Sequence, residues 1–247
     1  MFTGKETFSN LKNIFKFIAF LDDTSTISIK VTNMLLYKFL RKKFPNKKIY
    51  SSVNCRVKTV EHAIYLKELG VDVITIDRDI NRNIELIKKI KKETGLELQL
   101  MLNENCFRNC PFRNEHFQAV AGGYETLHGV DFEELTCYPM LRKNKRMFFR
   151  IPFIRPEDLK HYNGYINHFK LVTRDSSTEQ IKFLLDIYKN ENYDGNLINI
   201  FDWEVISHWG NLYVDNKKLD RLNFFEKIQH CPCNCDICNV CEIFFES

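Results

Sequence analysis

Between residues 27 and 189, short β-branched apolar runs alternate with amphipathic stretches closed by glycine or proline. The runs 27–31, 49–54, 71–76, 96–102, 147–153 and 168–173 read as six strands. Helical spacing fits 34–44, 59–69, 83–94, 156–162 and 177–189. Pro45 stops the first of these helices, Gly70 and Gly95 follow the next two, Pro156 opens the fourth, and Ser177 with Gln180 forms a capping box on the last. Strands separated by helices pair in parallel, so the fold class is α/β. Before this region, 8–20 has helix-like spacing and 22–25 reads as a turn.

A polar residue recurs where each strand ends: Asn33, Asn54, Asp77 with Arg78, Asn103 with Glu104, Arg155, and Arg174 with Asp175. In a TIM-type (β/α) barrel all such ends gather on one face, where the chemistry sits. The barrel is expected to be incomplete at the N-terminus. A full one takes about 250 residues for eight strands, whereas six strands here are used up before residue 175. An open barrel leaves strand edges that invite a protein partner. The expected division is a partial barrel over residues 1–215 and a Cys-rich metal-binding tail over 216–247.

Nine cysteines with no secretory leader suit metal binding in a reducing, cytoplasmic setting better than a disulfide framework. The apolar run 14–21 contains Lys16 and is too short to span a bilayer, so no membrane is expected. A net charge of +4 is too small to argue for nucleic acid by itself, and the basic runs 41–48, 88–92 and 142–146 read as solvated faces or phosphate contacts.

The segment 103–116 places Cys106 and Cys110 four apart after a buried strand and ends in His116. Several thiolates on one short loop suit a shared ion or cluster, whereas two packed thiols gain little from that spacing. Further on, Cys231-Pro-Cys-Asn-Cys-Asp-Ile-Cys-Asn-Val-Cys241 contains Cys-x-x-Cys-x-x-Cys, the first three ligands of a ferredoxin-type run. The fourth falls at Phe245. Pairs such as these also suit zinc.

His116 reads as a ligand, a proton carrier or a donor to a ligand, against a loop histidine bonded to backbone. Arg155 and Arg174 could clamp a carboxylate or phosphate, against ion pairs with Glu157, Asp158 or Asp175. No His-Glu-x-x-His motif, Gly-rich phosphate loop or defensible Ser-His-Asp order is present.

Several motifs stand in one order. They are residues 51–59, Glu68-Leu-Gly-Val-Asp72, and Arg82 before a Lys-rich helix. Then come residues 98–116 with Asn-x-x-Cys-x-x-x-Cys-Pro-Phe-Arg-x-x-His. Pro152-Phe-Ile-Arg-Pro-Glu-Asp158, Phe169-Lys170 with Arg174, and Asp194-Gly-Asn-Leu197 complete the set. Together they resemble peptidase family U32 over roughly residues 27–200, plus the cysteine-rich end. The family name records an early protease assignment, while several members are iron–sulfur proteins that support hydroxylation of a ubiquinone precursor or an RNA base. The resemblance implies a [4Fe-4S] cluster on the barrel face, with Cys106, Cys110 and Cys137 in its ligand-bearing region. Relatives place a further Cys-x-x-x-Cys there, but this chain reads Cys137-Tyr-Pro-Met-Leu141.

Two arrangements close the count. The tail lends one thiolate to the barrel site, or two four-cysteine sites exist, each taking one of Cys231 and Cys233, with Cys235, Cys238 and Cys241 in the second. Cys55 is left out of both. One or two clusters are expected, with zinc as the alternative. The implied pocket is lined by Asn103, His116, Arg155 and Arg174, and the implied substrate is an RNA base or a small aromatic acceptor. A redox or hydroxylation enzyme is favoured over a peptidase, and a non-catalytic cluster-bearing subunit of a heteromer is the further alternative.

Overall fold

The computed structural model describes residues 5–24, 28–123, 126–127, 129–174, 176–235 and 237–245. It opens with helix α1 (Lys5–Thr24), which continues through most of the turn expected at 22–25; residue 25 lies outside the described residues. The alternation follows: β1 (Ser28–Val31), α2 (Leu35–Lys43), β2 (Lys48–Ser51), α3 (Val60–Glu68), β3 (Val73–Thr75), α4 (Ile84–Thr94) and β4 (Glu97–Met101). After the cysteine loop come α5 (Arg113–Gly122), the short antiparallel pair β5 (Thr126–Leu127) and β6 (Val130–Asp131), and α6 (Cys137–Lys143). The chain then passes through β7 (His168–Lys170), α7 (Thr178–Lys189), α8 (Trp203–Ser207), α9 (Asn216–Arg221) and α10 (Phe224–Ile228).

Local chemistry sets several of these boundaries. Thr59 and Asn83 cap α3 and α4 by accepting the amides of His62 and Leu86. Gly95 ends α4 at φ +66°, a conformation that costs glycine little. Ser177 caps α7 by accepting the Gln180 amide, while the Gln180 side chain turns inward to the Phe201 carbonyl at 2.5 Å instead of closing a reciprocal box. The second strand stops at Ser51 rather than 54, because Ser52 caps a single turn over Val53–Cys55. That turn buries Cys55 against the Tyr37 hydroxyl, 3.1 Å from its sulfur.

Five strands form one sheet in the order β1-β2-β3-β4-β7, every pair parallel. The sheet is not closed: β1 and β7 are its edges among the described residues. The observed architecture is therefore a parallel α/β sheet in which successive strands lie side by side.

The strand expected over 147–153 does not form, and β7 pairs directly with β4, Leu100 opposite Phe169. Lys145–Arg150 is instead a 3-10 helix, followed by irregular buried chain. Buried side chains satisfy its carbonyls in place of a neighbouring strand. Arg82 donates to the carbonyls of Phe149 (3.0 Å), Ile151 (2.8 Å) and Phe153 (2.8 and 3.1 Å). The Asn81 amide reaches those of Met101 (2.9 Å) and Pro152 (3.1 Å). A short apolar run identifies burial but not the partner of its backbone, which is why the run reads as a strand.

One hydrophobic core runs from Ile18 and Tyr37 under the sheet to Phe224 and Phe244 near the chain's end. Its second half is largely aromatic: Phe149 packs on Phe244 and Phe224, and Phe148 on Phe201 and Trp209. Across position 215/216, Asp215 bridges to Asn196 and caps α9, and Asn216 donates to Glu157 and to the Tyr193 carbonyl. Among the described residues of 231–241 there is neither helix nor strand.

Candidate metal centre at the strand ends

The ends of β3 and β4 supply the framework of the site. Beyond β3, Asp77 accepts the Asp79 amide at 2.8 Å and starts a 3-10 turn over Arg78–Ile80. Asp79 is then gripped from three sides. Arg113, the first residue of α5, pairs with both of its oxygens (2.8 and 2.9 Å), Lys58 contacts one of them, and the Asn109 amide donates at 2.8 Å. Asn109 takes φ +52°, the left-handed turn that carries the chain from Cys106 to Cys110. The cysteine loop is thus tied to β3 through one buried carboxylate.

Arg113 also reaches the thiols. Its Nε lies 3.4 Å from Cys106 Sγ, and one Nη donates to the Phe107 carbonyl at 2.6 Å. The Cys106 thiol hydrogen-bonds to Cys110, which lowers the Cys110 thiol to about 7. The Cys106 thiol, which donates in that pair, is pushed well up. Cys137 opens α6, and burial raises its thiol to about 11, with the charge of Cys106 adding to the effect. The charge of Cys106 thus reaches Cys137, and that of Cys137 reaches Cys110. Among the described residues, no three His, Cys, Asp or Glu side chains stand close enough to grip one ion as they are.

His116, one turn into α5, joins its Nε2 to Glu133 at 2.9 Å and stacks on Phe132 at 5.0 Å. The Glu133 bond raises its pKa against burial, and the charges of Cys106 and Glu104 act the same way. Arg78 is buried at 2% exposure beside this group, over the Phe117 ring. Its Nη2 reaches Asn54 Oδ1 at 3.4 Å and its Nη1 faces Glu104 at 3.5 Å, yet Nε and Nη1 have no hydrogen-bond partner among the described residues. Buried guanidinium donors left unpaired are costly, and they suit an anionic group.

The other expected site residues lie elsewhere. Asn103 is buried and brackets the chain: its amide donates to the Val172 and Ile200 carbonyls (3.0 and 2.9 Å), and its oxygen accepts the Val172 amide at 2.6 Å. Arg155 is buried in a bidentate pair with Asp158 (2.6 and 2.9 Å), a further contact to Asp220 at 3.0 Å, and stacking over Phe224. Arg174 is exposed beyond β7, and Asp175 lies outside the described residues. The structure thus puts His116 within reach of the charge of Cys106 and commits Asn103 and Arg155 to other contacts. Arg113 and Glu133 are the participants that sequence reasoning misses. Arg113 stands inside the Cys-Pro-Phe-Arg motif, whereas Glu133 carries no local signal.

The tail docks against the same loop. Arg108, between Cys106 and Cys110, donates to the Cys231 carbonyl at 2.7 Å. Cys233 donates its amide to Cys231 Sγ at 3.4 Å. The thiol–thiol bond with Cys233 lowers Cys231 to about 5, aided by Arg108 and Arg82, while Cys233 is pushed up. Burial raises Cys241 to about 12, and the charges of Cys231, Cys235 and Cys238 reinforce it. None of the nine cysteines is in a disulfide.

A parallel α/β protein with a thiol-bearing loop at its strand ends is the class these observations define. The chain belongs to peptidase family U32. The family model matches residues 7–107. An uncharacterized protease of Methanocaldococcus jannaschii is 31% identical over 238 residues, which covers 95% of this chain and 67% of that protein. A solved U32 peptidase structure aligns at 21% identity with a TM-score of 0.49, covering 70% of this chain and 65% of the other. The chain thus spans about two thirds of each relative's length.

Proposed function

We propose that this chain holds an iron–sulfur cluster on Cys106, Cys110 and Cys137 and supports hydroxylation of an RNA base or a small aromatic acceptor. The observation that carries the reading is the Cys106 thiol bonded to Arg113 and paired with Cys110, near buried Arg78, whose Nε and Nη1 lack hydrogen-bond partners among the described residues. The donor set fits such a cluster in kind: soft sulfur ligands, with buried cations near Cys106 to offset the charge of a thiolate-bound group. Three thiolates leave one coordination position for another ligand. When bound, a cluster supplies one-electron transfer or Lewis acidity.

The chain's own residues do the rest. Arg113 and Asp79 fix the loop, Arg78 offers donors to an anion, and His116 with Glu133 holds a proton at Nε2. Hydroxylation replaces C–H by C–OH and removes two electrons, so a second substrate must bring the oxygen and accept them. The reading places the chain in a reducing compartment. No described helix is long and apolar enough to cross a membrane.

The test is nucleoside mass spectrometry on RNA from cells with and without the intact chain. The reading predicts a base carrying one additional oxygen that disappears in the Cys106→Ser strain. Purified Cys106→Ser is expected to stay folded and to lose bound iron by more than about tenfold, since even neighbours of metal ligands cost 10–100-fold. Unchanged RNA and small acceptors, together with peptide cleavage by metal-free protein, support the peptidase assignment instead.

A second reading, a partner that continues the sheet toward a (β/α) barrel, is favoured by one observation. Phe17 on α1 and Met34, Leu35 and Phe39 around α2, the helices that flank the edge strand β1 in sequence, are exposed. Exposed apolar side chains beside an unpaired parallel edge mark an interaction surface. Light scattering on the co-purified protein distinguishes a heteromer from a lone chain.

A further inference from the structure

The sheet has a polar face that neither the strand-end thiols nor the core uses. Register and alternation put Lys30 of β1, Tyr50 of β2, Thr75 of β3, Gln99 of β4 and His168 of β7 on that one face. The opposite face carries Ile49, Ile74, Leu98 and Leu100, all fully buried. Neighbouring strands lie about 4.8 Å apart, so strands three places apart are about 14 Å apart in a flat sheet. Yet Lys30 Nζ, on β1, donates to Gln99 Oε1, on β4, at 2.5 Å, and the Tyr50 and His168 rings of β2 and β7 meet at 5.7 Å. Contacts across three strand spacings mark a sheet curled around this face, as the inner wall of a barrel is. Such a wall is ordinarily packed with Val, Ile and Leu. This one is polar, and it is open to water: the Lys48, Glu97 and His168 side chains, one rung along, are 39%, 39% and 32% exposed.

We propose that this concave face binds the phosphate monoester group of a small molecule between Lys30 and Lys170. The single carboxylate on the face is already matched: Lys48 donates to both oxygens of Glu97 at 2.7 and 2.8 Å, and His168 contacts one of them. Among the described residues, Lys30 and Lys170 have no carboxylate partner. Lys30 rests on neutral groups, the Gln99 amide oxygen and the Tyr50 ring, whose centroid is 6.0 Å from its nitrogen. Lys170 stands one rung beyond His168, opposite Met101, and so lies diagonal to Gln99 on the same face. The two lysines thus flank Gln99 from the two edge strands of the sheet. Burial first, and then the charge of Lys170, lower the Lys30 ammonium to about 8. Two like charges with no acid to offset them favour a shared anion of matching charge. A phosphate monoester carries nearly two negative charges at neutral pH and three acceptor oxygens, whereas a carboxylate carries one charge. Lysines serve such a group as mobile point charges. The site uses none of the thiols, so it stands whether or not they carry a cluster.

The experiment is calorimetric titration of the full-length protein with inorganic phosphate just above neutral pH, with acetate at matched ionic strength as the monoanion. Lys30→Met, Lys170→Met and Lys88→Met are titrated alongside. One phosphate per chain is expected to bind, and acetate at least about tenfold more weakly. Lys30→Met and Lys170→Met are each expected to weaken phosphate about tenfold or more, the usual loss for one hydrogen bond to a charged group. Lys88, paired with Glu85 on α4, is expected to leave it unchanged when replaced. Should a variant fail to fold, the unmutated protein decides. Phosphate is then expected to shield Lys30 and Lys170, but not Lys88, from acetylation by acetic anhydride, read by mass spectrometry. Absence of saturable phosphate binding, equal binding of acetate, full affinity in Lys30→Met or Lys170→Met, an equal loss in Lys88→Met, or acetylation of Lys30 and Lys170 that phosphate does not slow overturns the proposal.

Discussion

Arg82→Ala is expected to lower stability by about 4–6 kcal/mol. Arg82 lies within the core, stacked over Phe153 at 4.6 Å, and serves as the pairing partner of a chain segment that has no neighbouring strand. Alanine leaves the carbonyls of Phe149, Ile151 and Phe153 buried and unpaired, at about 1–3 kcal/mol each. Relief of the buried charge offsets part of that sum. Burial brings the guanidinium down only to about 10, so it is charged at neutral pH in the folded protein. Domains of this kind are stable by about 5–15 kcal/mol in total, so the variant lies at the edge of folding. Arg82→Lys is expected to recover only a part, because one ammonium lacks the fork that spans three carbonyls. Urea denaturation measures both. A loss below about 1 kcal/mol for Arg82→Ala contradicts the assigned role.

Asp79→Asn is expected to cost about 3–5 kcal/mol at neutral pH, the range for breaking a buried ion pair from one side. The Asp79 side chain is 4% exposed and Arg113 6%, so solvent screens the pair little. Burial alone would raise the Asp79 pKa; Arg113, Lys58 and the Asn109 amide outweigh it and hold the carboxyl well below the usual range. The folded value lies under the unfolded one, near 4. The contribution is therefore complete above about pH 4 and disappears as pH falls through the folded value. The unmutated protein should lose stability down that limb, and Asp79→Asn should show a flatter one. Denaturation midpoints between neutral and acid pH measure both slopes. Parallel curves would mean that Asp79 titrates alike in both states. Because Asp79 also holds Asn109 and Arg113, the variant should loosen the cysteine loop and bind metal less tightly.

How far the sequence carries follows from these same residues. The parallel α/β pattern is legible because caps, glycines and β-branched runs report local preference, and the sheet keeps the sequential strand order this predicts. The run at 147–153 misleads because its backbone partners are Arg82 and Asn81, some seventy residues away, and no local pattern records such a pairing. The cysteine loop is legible as a cluster of thiols, and its proximity to His116 follows from the short spacing. Asn103 and Arg155 look like pocket residues because strand ends in α/β proteins carry function. Here their side chains instead bracket backbone and carboxylates. Arg78 stands in the sequence among the strand-end polar residues. Its unpaired N–H groups become evident only once burial is known.

The central claim is that the loop thiols bind an iron–sulfur cluster. It is tested most directly by iron and sulfide analysis, with electron paramagnetic resonance, on protein purified without oxygen, alongside Cys106→Ser and Cys137→Ser. The account predicts about four irons and matching sulfide per chain, a reducible paramagnetic signal, and loss of both in either variant. Protein prepared without oxygen that carries zinc but neither iron nor sulfide contradicts it.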